Sequence, residues 1–469
     1  MTDPHPATME RQTPQNLLLW LVGVGFFMQT LDTTIVNTAL PAMAHDLNES
    51  PLRLQSVIIA YALTMAITIP ASGWLADRFG TRNIFFLAIV LFSAGSLACA
   101  MSQTLLQLSL SRILQGVGGA MLLPVGRLAV LRSFPHEKFL KAISLVAIPS
   151  LIGPLIGPTV GGWLVEVASW HWIFLINLPI GLVGAILCWK FMPNTTLNQS
   201  PPFDSVGFIL LAVGMLAVSL GLDGVSSLHF AYSLVFFLLL AGMVSLFLYW
   251  LHAVHNPRPL FSPKLFRTRR FAIGLAGNLF ARIGAGGMPF LIPLLLQLSM
   301  GYSPFQAGLM LLASGSAALL SKPLATSSIG HFGYRRVLVG NTVMLGLVIM
   351  CFALVSVSSS LWLHIVLLAV FGAINSVQFT AMNSVTLKDL PTVRASSGNS
   401  MLSMIQMLAM SLSVSIAGAL LGVFSRWLDT SGDPEAAFQA TYVCIGLMTV
   451  ASAWVFKRLP PDTSGSSGK

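Results

Sequence analysis

The sequence predicts an all-α polytopic membrane protein: two six-helix bundles plus two additional central spans, fourteen transmembrane helices in total. Three observations carry this expectation. Of the 469 residues, 55% are hydrophobic and 9% charged, with a mean hydropathy of +0.81, whereas an average soluble domain has roughly 25% charged residues. The apolar residues come in repeated runs, each long enough for a bilayer crossing of roughly 20 residues. The basic residues concentrate in alternate breaks between those runs.

The runs fall at 17–39, 52–74, 83–101, 105–131, 140–165, 171–192, 204–223, 229–251, 271–298, 305–328, 335–357, 360–386, 395–425 and 437–457. Their length and their Leu, Ala, Gly and Met content point to helices, because membrane-barrel strands are alternating segments of about 10 residues. No small-residue cleavage site follows the first run, so it is read as a retained span. Cys99, Cys188, Cys351 and Cys444 all lie inside apolar runs without metal-ligand or redox spacing. They are expected to be small buried hydrophobes, and neither a metal site nor a cofactor is expected.

Of the 25 Lys and Arg residues, nineteen fall in breaks on the side that holds both termini, from Arg11 to Lys469. The other side holds only Arg53 and Arg426. The positive-inside rule then places both termini in the cytoplasm of a cell with an inner membrane. The net charge of +10 becomes a topology signal and an attraction to anionic lipid, with no nucleic-acid partner expected. The chain divides into an N-terminal bundle (1–202), two additional spans (203–252), a cytoplasmic linker (253–270) with Pro257, Pro259 and Pro263, and a C-terminal bundle (271–469). A faint repeat supports the division. Gly73 to Asn83 and Ser327 to Val337 each follow the second span of a bundle, and both contain Phe-Gly followed two residues later by Arg. Two related bundles around a midplane site are a common transporter plan.

Charges left inside the membrane are costly, roughly 2.5–3.5 kcal/mol each on insertion scales, and normally face a partner or a polar cavity. Asp32 in the first span is the one acid well inside a run; Glu166 and Asp223 sit near span ends and are expected to be solvated caps. Arg112, Arg127, Arg282 and Lys322 are embedded cations, with Arg127 close enough to an end to snorkel. A carboxylate beside a cation can have its proton affinity moved either way by desolvation and by that cation. Asp32 and Arg112 are therefore the expected proton-coupling pair; a static ion pair tying two helices is the alternative. Asn37 and Gln115 lie on the same two spans, as cavity groups or as interhelical glue. Arg282 and Lys322 have no acid beside them in sequence. They are expected either to meet an anionic group of a substrate or to pair with carbonyls and helix C-termini.

The fifth span reads GPLIGPTVGG from Gly153 to Gly162. Gly153, Gly157 and Gly161 recur every four residues, giving a smooth face on which another backbone can pack. Pro154 and Pro158 each remove a helix hydrogen bond and favour a bend. Such a helix suits a seal between rocking bundles, or simply a tight packing face.

These strings resemble signatures of the major facilitator superfamily. The loop with Gly73, Asp77, Arg78, Gly80 and Arg82 resembles its first cytoplasmic, gating signature. LSRILQGVGG, with Arg112 and Gln115, resembles its fourth-helix signature, and GPLIGPTVGG the fifth-helix signature found mainly in exporters. LDTTIVNTALP and WHWIFLINLPIG resemble signatures of the fourteen-span drug:proton antiporter branch, although His171 stands where that branch commonly has Arg. The loop after the tenth span also lacks the acid of the first. The resemblance implies alternating access and proton antiport, driven by the proton gradient, with Asp32 and Arg112 in the coupling. The partners expected are protons, a small-molecule substrate and lipid, and the chain is expected to act as a monomer. A proton-coupled importer on the same fold is the alternative. A membrane enzyme, sensor or ATP-driven pump is disfavoured: the sequence contains no HExxH, paired catalytic carboxylates, Cys/His cluster or phosphate-binding loop.

Overall fold

The computed structural model describes residues 15–196, 202–226, 231–356, 358–428 and 435–460. Arg11 and Lys469 lie outside them. All regular structure among the described residues is helical. The N-terminal bundle comprises α1 (Gln15–Asp46), α2 (Gln55–Phe79), α3 (Thr81–Ala100), α4 (Leu105–Ser133), α5 (His136–Val167) and a sixth crossing divided into α6 (Trp172–Leu175) and α7 (Asn177–Phe191). The additional pair is α8 (Ser205–Ser226) and α9 (Tyr232–His255). The C-terminal bundle comprises α10 (Arg269–Ala285), α11 (Met288–Leu294), α12 (Pro304–Leu320), α13 (Lys322–Cys351), α14 (Leu361–Leu387), α15 (Thr392–Trp427) and α16 (Glu435–Lys457). Thirteen of these helical stretches are long and apolar enough to cross a membrane, and α12 is a shorter apolar helix of 17 residues.

The helix starts are written locally. Thr104 accepts from the Gln107 amide at 3.2 Å to open α4. Ser303 and Gln306 form a reciprocal capping box at α12, with Pro304 in its first turn. Two crossings depart from simple rods. The ninth breaks at Gly286–Gly287 between α10 and α11 and ends in a π turn over Leu295–Ser299. The tenth runs through α12 into the first part of α13, which then reverses at Gly333 (φ 75°). Gly80, between α2 and α3, has the same kind of backbone (φ 94°). Both Phe-Gly positions thus use a glycine for a left-handed turn that a side chain would disfavour, and the repeat seen in sequence is a repeat of shape.

The fourteen crossings place one set of helix ends on a face carrying Arg78, Arg132, Lys190, Arg335 and Lys388, here called the basic face. The core is distributed unevenly with depth. In the half away from the basic face, one apolar cluster is shared by both bundles, uniting Ile35 and Leu40 of α1 with Phe290 and Leu294 of α11 and Tyr442 of α16. Toward the basic face each bundle has its own cluster, around Phe85 and Val125 in the first and around Leu338 and Phe456 in the second. Helix α5 packs along α12, and α2 along α15. The polar contacts across the seam also belong to the far half. Thr159 donates to the Gly308 carbonyl at 2.9 Å, Gln297 to the Thr38 carbonyl at 3.0 Å, and Glu166 accepts from the Phe305 amide at 3.0 Å. The seam is closed there.

Helices α8 and α9 pack on each other, and α8 also packs on α15 and α2. A further cluster containing Met215, Tyr249, Phe261 and Met404 joins this pair to the linker and α15. Asp204, before α8, holds three elements together. It accepts from His252 of α9 at 2.8 Å, from the Gly207 amide at 3.1 Å and from the Leu260 amide of the linker at 3.0 Å.

Two sequence expectations are corrected. Asp223 is not a solvated cap: it is buried and accepts from Gln55 of α2 at 2.7 Å. Cys99 and Cys188 are buried, but Cys351 is exposed and Cys444 only half-buried. Both are on helix surfaces that turn away from the core.

Candidate functional site

Asp32 lies near the middle of α1 and is 0% exposed; Arg112 of α4 is 1% exposed. Arg112 Nη1 is 2.6 Å from Asp32 Oδ2 and 2.7 Å from Gln115 Oε1. Gln115 Nε2 returns to Asp32 Oδ1 at 2.8 Å and also donates to Ser96 Oγ of α3 at 2.7 Å. The carboxylate therefore accepts one bond on each oxygen, and the three side chains close a ring. Asn177 of α7 donates to the same Ser96 hydroxyl at 3.2 Å. The guanidinium has a second set of partners independent of the acid. Its Nε donates to the Val57 carbonyl at 3.4 Å, and it stacks 4.1 Å from the centre of the Tyr61 ring. Such a ring face attracts a cation.

Position as well as chemistry depends on packing. Gly95 of α3 lies against the Gln115 backbone so closely that a Cβ would overlap it. That approach brings Ser96 within reach of the Gln115 amide. Gln115 and Arg112 are three residues apart on α4 and so share a face. Asn37, five residues beyond Asp32, is buried on α1, and the hydrogen bonds of the ring do not include it.

The second bundle presents a different polar group at similar depth. Arg282 of α10 donates from Nε to Asn278 Oδ1 at 3.4 Å and lies 4.5 Å from the centre of the Phe379 ring. Its Nη2 is buried without a hydrogen-bond partner. Gln406 of α15 donates to Asn383 of α14 at 2.7 Å and to Asn278 at 3.4 Å. No acid belongs to this set. Lys322, half-buried at the α12–α13 junction, does not share these bonds.

At the basic face, Asp77 pairs with Arg132 at the end of α4, and Arg132 also donates to the Thr195 carbonyl at 3.2 Å. Arg78 lies over the Trp74 ring and Arg82 over Trp189, at 5.7 and 5.2 Å. A Cβ on Gly73 would meet nothing within 4 Å. In the corresponding turn of the second bundle, Gly330 replaces the acid, and Lys388, which caps the end of α14, lies 4.8 Å from the Tyr334 ring. Along α5, Gly153, Gly157 and Gly161 press on Thr30, Thr34 and Ile35 of α1, whereas Gly162 and the Pro158 carbonyl press on Pro304 and Gly308 of α12. Pro154 and Pro158 lie within an otherwise continuous α5.

The family model for the Major Facilitator Superfamily matches residues 22–414 and, in a second match, 272–469. The chain belongs to the major facilitator superfamily. Among its relatives, "Putative multidrug resistance protein MdtD" of Pectobacterium atrosepticum is 52% identical over 447 residues, covering 95% of this chain and 96% of that protein. The protein of the same name from Escherichia coli O1:K1 is 51% identical over 449 residues, covering 95% of each. A solved transporter of the POT family in complex with 5-aminolevulinic acid superposes with a TM-score of 0.70 at 17% identity, over 94% of this chain and 95% of that one. That likeness is one of fold.

Within this superfamily chain, sequence reasoning named Asp32, Arg112 and Gln115 but missed Ser96, Tyr61, Asn177 and Arg132. Ser96 meets Gln115, and Asn177 meets Ser96, only once α3, α4 and α7 are neighbours. Tyr61 is aromatic and reads as core. Asn278, Asn383 and Gln406 carried a signal that was overlooked: uncharged amides in apolar spans, like Asn37 and Gln115.

Proposed function

We propose that the chain is a proton-driven exporter of small molecules in the inner membrane, not an enzyme, with the basic face and both termini in the cytoplasm. Asp32 and Arg112 couple the proton to the movement of the bundles. The observation that carries this reading is the ring of Asp32, Arg112 and Gln115, wholly buried within the first bundle. A buried ion pair needs further hydrogen bonds to offset its desolvation, and here Gln115 donates one to the carboxylate and accepts one from the guanidinium. When a proton neutralises Asp32, Arg112 retains the Val57 carbonyl, Gln115 and the Tyr61 ring. The acid can therefore titrate without stranding the cation.

The seam is closed on the far side, so in this scheme substrate enters from the cytoplasmic side. The bundles rock, substrate leaves outward, a proton from outside binds Asp32 in competition with Arg112, and the return swing delivers that proton inward. Proton and substrate must prefer different states, since a ligand shifts an equilibrium only by its differential affinity. The relatives' name, multidrug resistance protein, favours drugs as substrates. The free Nη2 of Arg282, set among amides with no acid, favours an organic anion or a carboxylate-rich metal chelate.

The test uses everted vesicles with an acid interior reported by a pH-sensitive dye. Addition of a substrate panel should dissipate the gradient only when the protein is present. Asp32→Asn should abolish the pH dependence of transport; a variant exporting at the wild-type rate with unchanged pH dependence would falsify the coupling assignment. Arg282→Gln should weaken transport of anions far more than of cations, and equal losses would remove the anion reading.

A further inference from the structure

The two additional spans lack a role in the scheme above, and the contacts of α8 supply one. Ser219 and Asp223 are one turn apart on a single face of α8, and both are buried. They reach different bundles. Asp223 Oδ1 accepts from Gln55 Nε2, the first residue of α2, at 2.7 Å. Ser219 Oγ lies 3.0 Å from Ser411 Oγ of α15. Gln55 is wedged between these elements: its amide oxygen occupies the space where a Cβ on Gly418 of α15 would stand. Gln55, Ser219 and Ser411 are each 0% exposed and Asp223 is 4%. One face of α8 thus fastens α2 of the first bundle to α15 of the second, near the closed end of the seam.

We propose that α8 is a latch on the outer gate: the Asp223–Gln55 and Ser219–Ser411 contacts hold the two bundles together on the side away from the basic face, and the gate opens there only when they part. The inference rests on the alternating-access reading. Helix α2 belongs to one rocking body and α15 to the other, so a helix bonded to both cannot keep both bonds when the seam opens. Contacts that exist in only one of two states bias the equilibrium toward that state by their differential free energy. Their removal should raise the open-to-closed ratio by about tenfold or more. The additional pair thereby adds a threshold for outward opening.

The experiment places spin labels at Arg53→Cys, beside the start of α2, and Trp427→Cys, at the end of α15, in full-length protein lacking Cys99, Cys188, Cys351 and Cys444. Both label sites are exposed. Pulsed-dipolar distances are then compared in lipid nanodiscs. The wild type should be dominated by one short distance. Asp223→Ala with Ser219→Ala, and separately Gln55→Ala, should each enrich a longer distance by about tenfold. Ser245→Ala, which removes the bond from α9 to the Leu210 carbonyl of α8 without touching either bundle, should leave the distribution unchanged. If Ser245→Ala lengthens the distance equally, general loosening explains the effect and the latch is wrong. If the wild type lengthens on acidification but the latch variants match it under all conditions, the latch fails and alternating access stands. If wild type and variants alike stay at the short distance in every condition, both ideas fall.

Discussion

Asp77 at the end of α2 is paired with Arg132 at the end of α4, although Arg78 and Arg82 are far closer in sequence. Helix direction explains the choice: both partners sit in the last turns of parallel neighbours, α2 and α4, that end together at the basic face, while Arg78 and Arg82 turn outward onto aromatic rings. The pair is partly exposed, so it should contribute no more than about 1 kcal/mol to stability. Arg132→Gln is expected to shift the melting temperature by about 4 °C or less while slowing transport several-fold. Exchanging the charges, Asp77→Arg with Arg132→Asp, should recover part of the rate. Transport assays and thermal melts on the same preparations check this.

Breaking the buried ring from one side should cost more than removing both charges. Arg112→Gln leaves the buried Asp32 carboxyl without its cation, with an expected loss of roughly 3–5 kcal/mol. The double variant with Asp32→Asn should be clearly more stable than Arg112→Gln alone, as read by unfolding in detergent. Arg112→Lys should not restore coupling, because a lysine point charge cannot reach Asp32, Gln115 and Val57 while stacking on Tyr61. Wild-type pH dependence in Arg112→Lys would contradict the role given to that geometry.

Glycines of the GPLIGPTVGG segment should fall into two phenotypes. Gly157 faces Thr34 within the first bundle, so Gly157→Val overpacks it and should cost about 1–3 kcal/mol of stability. Gly162 faces the Pro304 backbone across the seam. Gly162→Ala should leave the melting temperature of each bundle nearly intact and instead raise the accessibility of the far side to a membrane-impermeant thiol reagent. Identical effects from the two substitutions would show that α5 has only a packing role.

The linker clamp carries a pH signature. Burial raises the proton affinity of Asp204, but hydrogen bonds from His252 and from the Gly207 and Leu260 amides outweigh it and hold the carboxyl below its usual range. A depressed folded-state value means the stabilisation is present above the unfolded-state value and is lost as pH falls through the folded one. The clamp should therefore be intact at neutral pH and fail only in acid, below about pH 4. Trypsin cleavage at Lys264 and Arg267 reports it. Asp204→Asn should make the linker sensitive at pH 7, where the wild type resists; equal cleavage rates would show that Asp204 does not hold it.

Sequence alone determined which segments are helical and that they lie in lipid, because hydrophobic run length, cap residues and the Phe-Gly turns act locally. Ser303 with Gln306, and glycine at positions 80 and 333, need no distant partner to specify what they do. Asp32 and Arg112 stood out for the same kind of reason: a charge in an apolar run is costly wherever the run ends up. What sequence could not supply is which groups meet. Asp32 and Arg112 are 80 residues apart, Gln55 and Asp223 are 168 apart, and Asp223 near a span end read as solvated. Only the packing of α2, α8 and α15 buried it. Likewise Arg282 could have found a carbonyl or an acid; the arrangement of α10, α14 and α15 left it amides and one unpartnered nitrogen. Lipid drives each helix into the bilayer regardless of its neighbours, but small-residue contacts such as Gly95 on Gln115 select the neighbours, and those contacts exist only after assembly.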